Sequence, residues 1–162
     1  MTLAPKPPSA SATEMVEVVL PNDANPMGFM LGGAVMHLID IAGAIAAFRH
    51  AHELMVTAAV DGLEFLNPIK VGDFVILKAR VTAVFTTSLE VEVTVFSEEA
   101  LTGRRQMTSR AHLTFVTLVS DGARPSIPPL LLETEEEKQQ QAAASVRRAE
   151  RLARRTRLGT GE

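Results

Sequence analysis

Between Asn25 and Phe48 the chain reads NPMGFMLGGAVMHLIDIAGAIAAF, and a few of its residues could do chemistry. Asp40 has apolar neighbours on both sides along the chain. A carboxylate can take a proton from water as a general base, or attack a carbonyl as a nucleophile. Buried without a partner, it would be costly to keep charged, so a partner or a function is expected. Gly32 and Gly33 would open a helix whose first N–H groups no side chain hinders, a geometry suited to an anion or a developing oxyanion. They could equally serve close packing against a strand. Asn25, in the loop just before, carries an amide able to bind a carbonyl or position a water, although Asn-Pro also opens turns. On a helical wheel Gly33, His37 and Asp40 share one stripe.

The spacing along that stripe limits what one chain can do. Seven residues of helix rise about 10 Å, and the Asp40 side chain leans back toward the N-terminus by only a bond or two. Asp40 therefore cannot reach a group held by the Gly33 N–H of its own helix. If both act on one reacting atom, they come from different chains, so the sequence argues for an obligate dimer.

The elements that position these residues follow from composition and period. The 162 residues are 46% hydrophobic, enough for one domain with a core. A net charge of −3 gives no basic field for nucleic acid. There is no cysteine, which removes disulfides, thiolate metal sites and Cys nucleophiles. The four histidines do not cluster, and His50-x-His52 is weak as a metal signature, so no metal is expected. The start, MTLAPKPPSASAT, lacks the apolar stretch of a secretory signal. The run Ile41 to Phe48 is too short to span a bilayer. The expectation is a soluble cytoplasmic chain with no membrane or nucleic-acid partner.

Residues 1–13, rich in Pro, Ser and Ala, are expected to be disordered. The segment 15–20 reads as a short strand, followed by a proline-bearing loop. Gly32 to about Ala51 is too long for a strand and becomes a helix, apolar nearly all round, which other structure must wrap. Arg49, His50 and His52 form its polar exit. Four strands follow, at 55–69, 74–85, 88–98 and 106–119. In the third, Leu89, Val91, Val93 and Val95 alternate with Glu90, Glu92 and Thr94, giving one buried and one wet face. An α+β fold results, one long antiparallel sheet around one helix. The tail, 131–162, opens with a capping box at Thr134 and Glu137 and has arginines toward its end. It reads as a solvated terminal helix, or else as a basic surface for a phosphate ligand or a neighbouring subunit.

Asn-x-x-Gly-x-x-x-Gly-Gly, with Asp seven residues after the second glycine of the pair, resembles the hotdog-fold acyl-CoA thioesterases of the cytosolic acyl-CoA hydrolase type. Thr57-x-x-x-Asp61 and Thr87-Ser88 add to the likeness, which covers about residues 14–130. The resemblance implies a single hotdog domain, with a long sheet around a central helix. It implies homodimers, often assembled into trimers of dimers, and hydrolysis of acyl-CoA to a free acid and CoA without metal or cofactor. It matches Asp40 to the catalytic carboxylate, Asn25 to the active-site Asn of the loop, and Gly33 to the glycine whose N–H faces the thioester carbonyl. Gly32, Thr57 and Ser88 are candidates for substrate binding. Leu31 stands where many relatives have His or Phe.

The mechanism so implied has Asp40 as general base on water, or as nucleophile, with the Gly33 N–H at the oxyanion. Asn25 of the facing subunit would orient water or carbonyl. Two other readings share the fold. A 2-enoyl-CoA hydratase would need His where Gly28 stands. A non-catalytic acyl-CoA-binding module is usually fused to a DNA-binding domain, and no such extension is visible.

Overall fold

The computed structural model describes residues 3–159. Five strands, β1 (Thr13–Val18), β2 (Met55–Phe65), β3 (Phe74–Val84), β4 (Ser88–Glu98) and β5 (Arg105–Thr117), form one sheet in the order β1-β3-β4-β5-β2. Every pairing is antiparallel, which leaves β1 and β2 as edges. Helix α1 (Gly32–Ala51) lies on one face and helix α2 (Glu135–Gly159) on the other. This is the hotdog architecture that the resemblance implies.

The alternation read in β4 decides which helix goes where. Leu89, Val91, Val93 and Val95 are fully buried and pack with Val35, Ile39, Ala42, Ala46 and Ala47 of α1. By length and composition α1 could cross a membrane, but these contacts make it the core helix of the sheet. It is not wrapped all round. Gly33, Met36, His37 and Asp40 on its far side are exposed in the single chain, so the expectation of a fully enclosed helix holds only for the face toward the sheet. His50, read as part of a polar exit, is fully buried, with Nε2 2.8 Å from the Pro128 carbonyl oxygen. Burial, the largest influence, pushes its pKa below the ordinary value.

The other face of β4 carries Glu90 and Glu92, and α2 docks there through charge. Arg147 donates from Nε and Nη2 to both carboxylate oxygens of Glu90, at 2.9 and 2.7 Å. The Thr82 hydroxyl donates to the same carboxylate. Arg80 pairs with Glu137 at the helix start, and Arg151 and Arg154 both reach Asp61 near its end. The capping box forms as read: the Glu137 N–H donates to Thr134 Oγ1, and Glu137 accepts from the N–H groups of Glu133 and Thr134. Those backbone bonds, that of Glu133 foremost, lower the Glu137 pKa, with Arg80 adding to them. The helix is therefore not the solvated tail the sequence suggests, since Arg147, Arg151 and Arg154 turn inward onto acids.

Residues 3–12, within the segment expected to be disordered, are held in place. Lys6 bridges to Leu130, with backbone bonds to Pro129 and Leu131. Its Nζ donates to the His50 carbonyl oxygen at 2.7 Å, placing a cation at the C-terminal end of α1, where the helix dipole favours it. Pro8 and Ser11 are buried. Composition marks such a segment as unable to form its own core, and here it borrows the core of the domain.

Candidate active site

Asp40 sits in the exposed stripe of α1, and Thr57 of β2 donates its hydroxyl to Asp40 Oδ1 at 2.6 Å. β2 is an edge strand, and Thr57 faces α1 because it is paired with buried Phe115. The hydrogen bond restrains the carboxylate through Oδ1, and no bond to Oδ2 is found among the described residues. Burial, which the sequence suggests for Asp40, is not found in the single chain.

Asn25 and the glycines form a second group. Asn25 Oδ1 accepts from the N–H groups of Met27 and Phe29 at 3.0 and 3.1 Å, and its backbone pairs with Phe29 and Gly28. The turn reading of Asn-Pro is thus realised. Turn formation uses only the oxygen, and no bond to Nδ2 is found among the described residues. Gly28 lies at φ +82°, a conformation that disfavours the His a hydratase would carry there.

Leu31 provides no side-chain cap to α1, and the first intrahelical bonds are donated by Ala34 and Val35 to the Leu31 oxygen. The N–H groups of Gly32 and Gly33 precede them and have no backbone partner among the described residues. The two glycines differ in surroundings. A Cβ on Gly32 would lie 3.4 Å from the Phe65 ring, whereas one on Gly33 would meet nothing within 4 Å. Close packing accounts for Gly32 and not for Gly33. A cavity of about 340 Å³ brings Asn25 and Gly32 together with Val35, Phe65 and Thr108.

Two sequence candidates fall elsewhere. Thr57 and Asp61, read as one motif, point to opposite faces. The pairing shifts between Thr57 and Ala59, so Asp61 aligns with His112 on the α2 side and is taken up by arginines. Ser88 is on the same face as Glu90 by alternation, away from Thr57. The role of Thr57 as the hydrogen-bond partner of Asp40 was not read from the sequence; the two are 17 residues apart on different elements, and no local pattern marks the pair. Among the described residues no three His, Cys, Asp or Glu side chains converge so as to hold a metal ion.

The arrangement offers a positioned carboxylate at one end of a helix face, and an amide with free helix N–H groups at the other. Comparison with known proteins gives this chemistry a family. A model of the thioesterase superfamily matches residues 27–118. The uncharacterized acyl-CoA thioester hydrolase YkhA of Bacillus subtilis (strain 168) is 40% identical over 116 residues, covering 72% of this chain and 67% of that one. The human cytosolic acyl coenzyme A thioester hydrolase is 32% identical over 80% of this chain, which spans only 35% of that longer protein. A hexameric acyl-CoA thioesterase superimposes with a TM-score of 0.87 at 36% identity, covering 94% of this chain and 97% of that one. An acyl-CoA hydrolase from Staphylococcus aureus, in complex with butyryl coenzyme A, coenzyme A and coenzyme A disulfide, superimposes with a TM-score of 0.86 at 34% identity, covering 95% and 94%. Variants of the S. aureus hydrolase with alanine for an asparagine, an aspartate and a threonine have similar folds; along that chain these residues are 15 and 17 positions apart. The chain belongs to the thioesterase superfamily.

Proposed function

From that membership we propose that the protein hydrolyses acyl-CoA to a carboxylic acid and CoA, in a site shared between two copies of the chain. The Thr57–Asp40 hydrogen bond carries the assignment of the base, because it holds one carboxylate oxygen and leaves the other for water. Asn25, Asp40 and Thr57 also follow one another at the intervals of the three residues replaced in the S. aureus hydrolase.

In the reaction, Asp40 takes a proton from water as the water oxygen attacks the thioester carbonyl. Negative charge on the carbonyl oxygen is met by the Gly33 N–H and the start of the α1 dipole, with Asn25 Nδ2 orienting carbonyl or water. Collapse of the tetrahedral adduct breaks the C–S bond, and the proton on Asp40 passes to the CoA sulfur. Gly32 and Thr57 line the site, Thr57 as the group that positions Asp40. Ser88, on the sheet's other face, has no part in it.

Asn25 and the glycines form one half of the site and Asp40 with Thr57 the other, separated along α1 by about two turns. A second copy brings a foreign Asp40 to each glycine end. The unpaired edge of β2, with exposed Val56 and Val60, and exposed Met36 on α1 supply the surface for that pairing, and a trimer of such dimers would give a hexamer like that of the relative. Mixing Asn25→Ala and Asp40→Asn chains tests the shared site. Each is inactive alone, but in mixed dimers one site of the two regains both groups, so a random mixture recovers about a quarter of wild-type activity. A mixture as inactive as its components refutes sharing.

A further inference from the structure

The cavity beside Asn25 and Gly32 has a wall chemistry that selects among the parts of an acyl-CoA. Its lining includes Phe29, Met30, Val35, Phe65, Leu66 and Ile69. Its polar side chains are committed elsewhere: Asn67 Nδ2 donates to the Met107 oxygen at 3.0 Å, and the Thr108 hydroxyl to the Val95 oxygen at 3.1 Å. The backbone N–H groups of Phe29, Met30 and Leu66 are also spent, on Asn25 Oδ1 and on the Ile69 and Thr108 oxygens. A chain bearing amides would lose hydrogen bonds to water on entering and find few donors in return. An alkyl chain loses none and gains burial. The donors left over here, Asn25 Nδ2 and the Gly32 N–H at the start of α1, belong where the carbonyl of that chain would stand.

We infer that this cavity receives the acyl chain of the substrate, and that the Phe65 ring sets the length it accepts. The inference rests on the thioester-hydrolase reading and deepens it. The Phe65 ring closes against the first turn of α1, so near Gly32 that a Cβ there would already touch it at 3.4 Å. Phe65 ends β2 and is half exposed, so its size can change without opening the core. Removing the ring extends the cavity along α1, and enlarging it shortens the cavity.

The experiment measures kcat/KM for CoA release from straight-chain acyl-CoAs, acetyl to palmitoyl, with wild type, Phe65→Ala and Phe65→Trp. Phe65→Ala is expected to move the optimum to longer chains, its advantage over wild type growing about fourfold with each further methylene buried. Phe65→Trp is expected to move it to shorter ones. If both variants keep the wild-type length profile, or lose activity equally at every length as they would were the CoA arm in the cavity, the inference is overturned while the hydrolase reading stands. If wild type releases CoA from no acyl-CoA, that reading falls and the inference with it. Phe65→Trp removes no packing and carries the test should the alanine variant fail to fold.

Discussion

The two helices lie on opposite faces of one sheet and are held by opposite physics. α1 is fixed by Val35, Ile39, Ala42, Ala46 and Ala47 against the apolar side of β4. Apolar burial is non-directional, so α1 needs no particular partner for any one residue and leaves its outward stripe open for chemistry. α2 buries little apolar surface; Ala144 is its one fully buried hydrophobic residue. Named pairs fix it instead: Glu137 with Arg80, Arg147 with Glu90, Arg151 and Arg154 with Asp61. The sheet thus spends one face on a forgiving attachment that carries the proposed site, and the other on an exacting attachment.

Substitutions on each face should separate these roles. Asp40→Asn should lower kcat by about 10²–10⁴-fold and leave the thermal melting curve near that of wild type; normal turnover would remove Asp40 from the reaction. Arg147→Met should do the reverse. It leaves Glu90, whose side chain is 3% exposed, with the Thr82 hydroxyl but without its cationic partner, at a cost of about 3–5 kcal/mol in denaturant unfolding. Activity per folded molecule should change little. Adding Glu90→Gln to that variant should restore much of the loss, because the uncompensated charge is gone; no restoration would mean the pair is not what holds α2. Thr57→Val should lower kcat about tenfold or more by freeing the Asp40 rotamer, with KM shifted less than kcat.

The smallest effect is a pH dependence on the α1 side. The pKa of His50 is lowered by burial from its ordinary 6.5. The unfolded chain therefore binds more protons than the folded one below about pH 6.5, and stability falls as pH drops through that value toward the folded pKa. His50→Gln, which keeps an N–H near Pro128, should flatten the slope of unfolding free energy between pH 7 and 5. An unchanged slope would assign it to other groups. Glu92, lowered chiefly by its hydrogen bond from His112, acts on the opposite face and only in more acid solution, below about its ordinary 4.5, so the two contributions are separable.

The same contrast explains what the sequence reveals. Period and composition identify α1, the five strands and the inward and outward faces of β4, because apolar burial leaves a regular trace along the chain. The capping box at Thr134 and Glu137 announces the start of α2 for the same local reason. Docking of α2 leaves no such trace: Arg147 and Glu90 are 57 residues apart, and neither has a neighbour that marks the other. The segment 3–12 is misread on the same account, since Lys6 finds the His50 oxygen 44 residues away. Asn25, Asp40 and the glycines are legible as candidates because their spacing fits a helix start and its stripe. The partnership of Asp40 with Thr57 crosses elements and becomes visible only once β2 folds back along α1.

One extra residue in β2, Ala58, lets the strand change sides between Thr57 and Ala59. That step makes the strand bilingual: Thr57 addresses the Asp40 carboxylate and Asp61 anchors the terminal helix, before a second shift between Asp61 and Glu64 returns Phe65 to the α1 side. Side-chain swaps at Ala58 should be benign, whereas deleting it would reverse the phase of the residues up to the second shift and aim Asp61 at the wrong helix. Indel tolerance, ordinarily generous on a sheet edge, should vanish here.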